Sequence, residues 1–397
     1  PNAASRPVLR RALLGGLLLM ALGLNLACST SSGQADDDAA FVTWLGDDTL
    51  AVEQFTRSPE RLEATVVLRT PETTVREYTL DMTPDGLLDR YVAVVRDPLA
   101  GDDAAPPRRT VVTVEGDSLL VETTEDGETE TRRIQGDARS LPFLDMVHWP
   151  FELALTRAYA SAQDSVAQPL FTGRGTQPFV VRRLAPDSMT ITHPFRGTMG
   201  VRVDEAGRLV RLDASNTTRK LTVERVSSID VEALAQAFAE RDAEGRPFGP
   251  LSGRGTAEAT VDGADITVDY GVPSKRGREI FGALVPWGEV WRTGANRATH
   301  LTTSRPLRMG DLEVPAGTYT LFTIPEPDGG TLIVNRQTGQ GGTAYDEAQD
   351  LGRVPMTAET LPNTAEDFTI RVEDTEEGGA VRPMWDRTAF VVPFTVQ

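Results

Sequence analysis

The stretch TAEATVDGADITVDY, residues 256–270, decides the fold class of this chain. Polar and apolar residues alternate on both sides of Asp262-Gly263, and such alternation places successive side chains on opposite faces of a β-strand. Asp-Gly between two runs of this kind is a strong hairpin signal, because both residues tolerate the positive φ angles of a tight turn. The sequence therefore predicts an antiparallel hairpin with strands at Thr256–Val261 and Ala264–Tyr270.

More short strands follow this hairpin up to the C-terminus. They are predicted at Thr299–Ser304, Leu307–Val314, Gly317–Ile324, Thr331–Asn335, Asp367–Glu373 and Thr388–Val396. Many short strands without a strong helix in about 140 residues are typical of a β-sandwich or a jelly roll. We therefore predict a C-terminal β-sandwich domain over residues 256–397.

The region 41–226 predicts a second antiparallel β domain. Runs rich in Val, Thr, Leu and Tyr recur at hairpin spacing, separated by turns such as Pro84-Asp85-Gly86. One helix is expected from Pro150, with an apolar face formed by Phe151, Leu155, Ala158 and Ala162. A β-meander of this kind, curled into a half-barrel with a helix, resembles periplasmic lipoprotein carriers. The resemblance implies an apolar pocket for an acyl chain, whereas a closed sheet would pack its own side chains.

Residues 227–255 are predicted to form a helix and an interdomain linker. Ser227 and Asp230 resemble a capping box, and Val231, Leu234, Ala235 and Phe238 form an apolar stripe at helical spacing. The Gly- and Pro-rich stretch from Asp242 to Gly255 would then connect two domains. The length of 397 residues agrees, since single cores stop growing at about 250–300 residues.

The N-terminus predicts export and membrane attachment. Three arginines precede an apolar run, and Leu24-Asn25-Leu26-Ala27-Cys28 resembles the lipobox of bacterial lipoproteins. The resemblance implies a signal peptide at 1–28 with lipidation of Cys28, followed by a flexible acidic tether at 29–40. A generic secretory leader with a chance cysteine is the alternative. The expected location is the cell envelope, with the protein facing the periplasm or the exterior.

Composition narrows the classes of partner. The chain has 58 acidic against 40 basic residues, a net charge of −18, which disfavours nucleic acid as a partner. Lysine is rare: the chain has two lysines, Lys220 and Lys275, and its other basic residues are arginines. Cys28 is the single cysteine, so an intramolecular disulfide is excluded.

The stretch VPWGEVWRTGAN, Val285–Asn296, carries the densest group of candidate binding residues. Trp287 and Trp291 are suited to stacking on a sugar ring or clamping a peptide, although such tryptophans more often plug the end of a sandwich. Arg292, with Arg278 and Asn296 nearby, is suited to binding a carboxylate or a phosphate. In so acidic a protein, the favoured alternative is an ion pair of Arg292 with one of three acids, Glu289, Asp346 or Asp386.

Three other residues complete the candidate ligand-binding set. His300 lies in the strand after this loop and is the histidine to test as a base or ligand, and Tyr345 and Asp346 form a Tyr-Asp pair further along. No His-x-His or His-Glu-x-x-His spacing occurs, so we predict no metal site. Nucleophile elbows, P-loops and dinucleotide fingerprints are also absent from the sequence, so we assign no catalytic residue and no cofactor.

The C-terminal motifs together resemble a known family. Residues 270–325, the Tyr345-Asp346 segment and MWDRTAFVVPF near the end resemble the bacterial family called domain of unknown function twenty-nine eleven. The resemblance extends over roughly residues 255–397 and implies a secreted, β-rich domain without a known activity, cofactor or partner. Arg297 stands where the family usually has Glu, and Gly341-Gly342 where it usually has Trp-Gly.

These observations favour a lipid-anchored cell-envelope protein that acts as a non-enzymatic binding or interaction module. Its partners would be the membrane, through Cys28, and a small-molecule, glycan or protein ligand. Two alternatives remain open. One is a periplasmic carrier of a hydrophobic ligand in the N-terminal sheet. The other is a hydrolase with a site near Trp291 and His300, formed by Glu289, Arg292, His300 and Asp346.

Overall fold

The computed structural model describes residues 37–100 and 106–397. As the sequence predicts, the fold is mainly β, with two open sheets. The predicted signal peptide at 1–28, Cys28 itself and most of the predicted tether lie outside the described residues. Within the described ranges, neither helix has the length and apolar character needed to cross a bilayer.

Fifteen strands form the N-terminal sheet. Their bounds are β1 Asp37–Leu45, β2 Asp48–Arg57, β3 Arg61–Leu68, β4 Thr74–Met82, β5 Leu88–Arg96, β6 Arg108–Glu115, β7 Ser118–Glu125, β8 Glu128–Gln135, β9 Leu141–Pro142, β10 Ser165–Thr172, β11 Gly175–Ala185, β12 Ser188–His193, β13 Gly197–Val203, β14 Leu209–Asp213 and β15 Thr222–Val226. Chain neighbours pair in an antiparallel meander, except for β8 and β9, which form the two ends of the sheet, and for β9 and β10, which are parallel. Strand β1 pairs with both β2 and β15, so the first and last strands meet in the middle.

Strand β1 begins inside the stretch predicted as a tether. It starts at Asp37, and both Ala39 and Ala40 are buried in the sheet. The small, acidic composition of residues 29–40 predicted a flexible segment, but alanine side chains are small enough to pack closely once a neighbouring strand supplies hydrogen bonds. The ordered domain therefore starts before residue 41.

Helix α1, Trp149–Ala160, packs into the core on one face of this sheet. Burial extends around most of the helix, because Trp149, Leu153 and Ala154 are buried as well as the predicted face. A helix that is apolar on most sides belongs inside a core rather than on a surface. The helix ends at Ala160, so the predicted position of Ala162 on its apolar face is wrong.

The side chain of Glu53, on β2, supports the start of α1. Its carboxyl group is fully buried and accepts hydrogen bonds from the backbone N–H groups of His148, at 2.9 Å, and Trp149, at 3.1 Å. The ring Nδ1 of His148 lies 3.0 Å from the same carboxyl group. The first turn of a helix has backbone donors without helical partners. Glu53 accepts hydrogen bonds from these donors and so caps the helix, although it lies on a strand that is distant in sequence.

Helix α2, Val231–Ala243, covers the opposite face of the sheet. Its N-cap is Asp230 rather than the predicted Ser227, since the Asp230 carboxylate accepts a hydrogen bond from Ala233 N at 3.0 Å. The apolar stripe packs on valines of β2, β3 and β4. The predicted linker that follows is docked, because Phe248 is buried and Gly249 N donates to Pro71 O at 2.9 Å.

Nine strands form the C-terminal sheet. Their bounds are β16 Ser252–Val261, β17 Ala264–Pro273, β18 Thr299–Thr303, β19 Leu307–Met309, β20 Leu312–Val314, β21 Gly317–Glu326, β22 Gly329–Asn335, β23 Asp350–Thr375 and β24 Gly378–Val396. The predicted hairpin at Asp262-Gly263 is confirmed as β16–β17, with φ angles of 47° and 75° at the turn. The predicted strand Leu307–Val314 is itself a small hairpin, because the chain reverses at Gly310.

The C-terminal sheet folds over onto itself. Its order is β16-β17-β18-β21-β22-β23-β24-β19-β20, yet β23 also lies against β16 and β17. Ser274 and Asp367 form a β-bridge at this contact, and the Ser274 hydroxyl donates to the Asp367 carboxylate at 2.6 Å. The fold encloses a separate apolar core that includes Phe368 and Trp385. The two halves of one continuous sheet therefore pack face to face, as predicted for a sandwich.

We expect Glu53→Ala to lower the free energy of unfolding by about 2–4 kcal/mol, because it leaves buried backbone donors of α1 without an acceptor. Equilibrium unfolding in urea measures the change. Glu63→Ala is the matched control on the adjacent strand, where Glu63 forms an exposed ion pair with Arg61. Its loss should cost about 0–1 kcal/mol. Equal effects of the two substitutions would contradict the capping role.

Candidate functional site

The turn between β1 and β2 joins the two sheets, which belong to one compact unit from residue 36 to the C-terminus. Asp47 N donates to Arg276 O at 3.2 Å, and the Arg276 guanidinium lies 3.0 Å from the Asp48 carboxylate. The same guanidinium stacks 4.0 Å from the centre of the Phe248 ring. Arg276 is thus bound simultaneously by a turn of the N-terminal sheet and by the docked linker.

A cavity of about 490 Å³ lies between the sheets next to this contact. The N-terminal domain lines it with Leu45, Arg196 and the loop 216–220 between β14 and β15. The C-terminal domain lines it mainly with the Val285–Asn296 loop, which we call the central loop, and with Arg278. The predicted binding residues of one domain therefore meet a part of the other domain that the sequence did not single out.

The central loop is fixed to strand β21. Trp291 exchanges two backbone hydrogen bonds with Thr323, of 2.7 and 2.8 Å, and Gly288 N donates to Pro325 O at 2.9 Å. The buried Thr293 hydroxyl donates to the Thr323 hydroxyl at 3.1 Å. An irregular loop with so many backbone partners holds its side chains in place.

The two tryptophans of the central loop have different environments. Trp291 is half-buried, stacks 6.0 Å from Trp385 at an interplanar angle of 14° and contacts Phe368 edge-on. It also lines the cavity, so it both packs and presents a surface. Trp287 stacks on Phe281, keeps 36% of its surface exposed and does not line the cavity. The loop therefore does not place the two indoles as a pair on one ligand.

The favoured ion pair of Arg292 with Glu289, Asp346 or Asp386 is not formed. Arg292 is half-buried in the cavity wall, where its Nε donates to Gly294 O at 3.2 Å. Asp386 instead accepts from Lys275 at 2.8 Å, and Asp346 caps the short 3-10 turn Glu347–Gln349. Burial lowers the pKa of the Arg292 guanidinium below its ordinary value.

Arg278 and Lys220 line the same cavity. Arg278 donates from Nε to Lys275 O at 2.9 Å and also to Ser274 O. Burial lowers the pKa of the Lys220 ammonium, and the positive charges of Arg278 and Arg292 lower it further. Lys220, which follows a strand of the N-terminal sheet, is therefore affected by the charges of two arginines that belong to the C-terminal part of the chain.

Asp145 forms ion pairs with the remaining two cations of the cavity wall. Its carboxylate lies 2.6 Å from a terminal nitrogen of Arg196 and also pairs with Arg219. Burial raises the pKa of Asp145, but the hydrogen bonds and positive charges of Arg196 and Arg219 outweigh it, and the net shift is downward. Arg196 and Arg219 therefore share one carboxylate and together add one net positive charge to the wall.

The remaining candidates fall into two groups. Tyr345 and the exposed Asn296 line the cavity, and the Tyr345 hydroxyl donates to the Asp350 carboxylate at 2.8 Å. His300 and Asp346 do not line it. The His300 Nε2 accepts a hydrogen bond from Gly339 N at 3.1 Å, which ties the ring to a neighbouring loop. Of the residues proposed for a hydrolase, the structure brings Arg292 to the cavity and leaves Glu289, His300 and Asp346 outside.

Sequence reasoning missed the contribution of the N-terminal domain. Lys220 has a positive φ angle of 57° in the loop after β14, and a local pattern of residues does not reveal a contact made across two domains. One signal was available, because the chain has two lysines and each adjoins an arginine, as Arg219-Lys220 and Lys275-Arg276. Both pairs lie where the sheets meet.

A second cavity, of about 530 Å³, lies on the N-terminal sheet. Its apolar lining includes Tyr91, Val112, Phe143 and Phe171, and Arg76 and Arg108 also line it. This cavity offers apolar surface of the kind that an acyl chain would need, and the carrier function stays a prediction.

The resemblance of the C-terminal domain to a known family is confirmed. The model of the family described as "Protein of unknown function (DUF2911)" matches residues 252–394, which include the central loop. No curated protein matches the chain.

Two solved structures show a distant likeness. A β-barrel-like protein of the domain of unknown function DUF1849 from Brucella abortus is 13% identical, with a TM-score of 0.32 over 48% of this chain and 94% of that one. A DUF1089 family protein from Pseudomonas aeruginosa is 14% identical, with a TM-score of 0.28 over 47% and 95%.

We expect Gly46→Ala to loosen the contact between the sheets. Gly46 has a φ angle of +63°, and an added Cβ would lie 1.8 Å from Arg276 O. The matched control is Gly86→Ala, because Gly86 has a φ angle of +72° but no atom within 4 Å of an added Cβ. Both variants lose about 1–2 kcal/mol to the left-handed backbone, and the clash adds about 1–3 kcal/mol for Gly46 alone.

Urea unfolding and cleavage by a lysine-specific protease measure this effect. Cleavage after Lys275 should be faster in Gly46→Ala than in Gly86→Ala, since Lys275 adjoins the contact. Equal stability and equal cleavage of the two variants would show that the turn does not hold the sheets together.

Proposed function

We propose that this protein is a lipid-anchored binding module of the bacterial cell envelope, and that the cavity between its sheets is its ligand-binding site. The carrying observation is the cavity of about 490 Å³, since small-molecule sites are concave, largely preformed and about 300–1,000 Å³ in volume. Five of the eight candidate residues line it: Arg278, Trp291, Arg292, Asn296 and Tyr345.

The composition of the cavity wall supports binding of a small molecule. Leu284, Val290 and Trp291 provide an apolar side, while the basic residues provide a polar side. Such a combination fixes both the affinity and the orientation of a ligand that has an apolar body and a polar group. A non-enzymatic role is the simpler proposal, because the histidine and carboxylates of the hydrolase hypothesis lie away from the cavity.

Trp291→Phe should weaken the binding of a ligand found by a thermal-shift screen of small metabolites, by roughly three- to tenfold. The indole offers more contact area than a phenyl ring, and aromatic contacts contribute about 0.5–1.5 kcal/mol. Trp287→Phe is the matched control in the same loop and should leave the dissociation constant unchanged. Isothermal titration calorimetry gives both values. A ligand whose affinity responds to Trp287 rather than Trp291, or a screen without any ligand, would contradict the proposed site.

The lipid anchor has its own test. Cells that express the full chain and are fed an alkyne-labelled fatty acid should incorporate the label, and Cys28→Ser should abolish it. The wild-type protein should partition with membranes and the variant with the soluble fraction. Unlabelled wild-type protein would remove the anchor from the proposal without affecting the cavity.

A further inference from the structure

We propose that the cavity binds an organic phosphate, whose phosphate group is held by Lys220, Arg278 and Arg292. This inference rests on the proposed function and names the chemical class of its ligand. The three cations come from two domains, so the phosphate would be bound at the junction of the sheets.

The charged residues of the cavity wall have the opposite sign to the net charge of the protein. The chain carries 58 acidic and 40 basic residues, yet the five charged residues that line this cavity are all basic. No Asp or Glu is among the described residues that line it. Electrostatic interactions between exposed groups fade over about 8 Å at physiological ionic strength, so the local positive charge decides what binds inside.

Two of the five cations share one carboxylate, which offsets one of their two charges, and the other three have no such partner among the described residues. Asp145 pairs with Arg196 and Arg219. Within the described ranges, Lys220, Arg278 and Arg292 form no ion pair with a carboxylate. Arg278 and Arg292 donate to backbone carbonyl groups, which leaves the terminal nitrogens of Arg292 without a hydrogen-bond acceptor in this part of the chain.

The nearest candidate for compensation is Glu366. Its negative charge raises the pKa of Arg278, but burial and the charge of Arg276 both lower that pKa, and the net shift is downward. The Glu366 carboxylate already accepts a hydrogen bond from Arg276 N at 2.6 Å. Glu366 does not line the cavity, so it leaves the three cations without a partner on the cavity side.

The cavity wall therefore holds like charges together at an electrostatic cost. Half-burial weakens the solvation of each charge, and the proximity of the others adds repulsion. An anion offsets both effects, and a bound anion raises the pKa of Lys220 back toward its ordinary value. Neutral side chains at these three positions would avoid this cost, so stability alone does not account for the three cations.

Phosphate fits this cluster better than carboxylate. A phosphate monoester carries about −1.5 to −2 charges at pH 7 and has three acceptor oxygens, whereas a carboxylate has one charge and two oxygens. The planar guanidinium groups of Arg278 and Arg292 match pairs of phosphate oxygens, and Lys220 supplies a compact third charge. Leu284, Val290 and Trp291 complete the wall and would accommodate the organic part of the ligand.

The rarity of lysine makes this proposal directly measurable. Reductive methylation with 13C-formaldehyde labels Lys220 and Lys275, the two lysines of the chain, without removing their charge. The full chain in detergent then gives two lysine methyl signals, assigned with Lys220→Met and Lys275→Met. Phenyl phosphate should shift the Lys220 signal and raise its pKa, because the anion stabilises the ammonium form. The Lys275 signal should stay in place, since Lys275 is paired with Asp386.

Binding of phenyl phosphate to the unmodified full chain is measured in parallel by calorimetry. Lys220→Met and Arg292→Met should each raise its dissociation constant by at least about tenfold, or about 1.4 kcal/mol. Arg254→Met is the matched control and should leave the dissociation constant unchanged, because Arg254 forms an exposed ion pair with Asp269 and does not line the cavity. If Arg292→Met fails to fold, Arg292→Lys replaces it and should weaken binding to a smaller extent, since it keeps the charge but loses the bidentate geometry.

The remaining probes test whether the preferred phosphate is free or part of a lipid headgroup. They also distinguish failure of the phosphate proposal from failure of the proposed binding function. Inorganic phosphate should bind more weakly than phenyl phosphate, and dihexanoyl phosphatidic acid tests whether a lipid headgroup is preferred. Phenol, which lacks the charge, should leave the Lys220 signal unmoved. If no phosphate compound moves this signal, or phenol binds as tightly as phenyl phosphate, the phosphate proposal is overturned. The screen with the Trp291 variant then decides separately whether the cavity binds a neutral ligand.

Discussion

The contact of Arg276 with the turn Gly46–Asp48 is the constraint on which the arrangement of the two sheets depends. Each sheet has its own apolar core, and neither core continues into the other. The connection is instead made by a backbone hydrogen bond, an ion pair and stacking of Arg276 on Phe248. A small polar contact thus determines whether the cavity exists, because each domain supplies only part of its wall.

The sequence predicted the features that depend on neighbouring residues. The Asp262-Gly263 hairpin, the mainly β character and the central loop as a place of interest all follow from local patterns, since alternation and turn chemistry act over a few residues. The start of α1 was predicted to within one residue, whereas its end at Ala160 and the N-cap of α2 at Asp230 were not. The start of β1 was misplaced since the small side chains of Ala39 and Ala40 pack well when a partner strand is present.

The candidate site was predictable only in part, for a physical reason. Trp291 and Arg292 stand out in a single loop, whereas Lys220 reaches them through an arrangement of domains that no local pattern encodes. The expected partner of Arg292 also depended on the tertiary structure. Asp386 accepts a hydrogen bond from Lys275 instead, and Asp346 accepts one from the backbone of a turn. An overall negative charge therefore predicted the wrong partner for Arg292, since the relevant charge was the local one.

The position of β1 has a mechanical consequence. This strand is the first described element of the chain and is hydrogen-bonded on both sides, to β2 and to β15. A pull on the segment before Asp37, as from a membrane that moves relative to the protein, would load both rows of hydrogen bonds along the strand, so that many must break together. The force would reach the end of β1 at Leu45, which lines the cavity, and then the turn that holds Arg276. Tension on the N-terminus and occupancy of the cavity would then act on the same few residues.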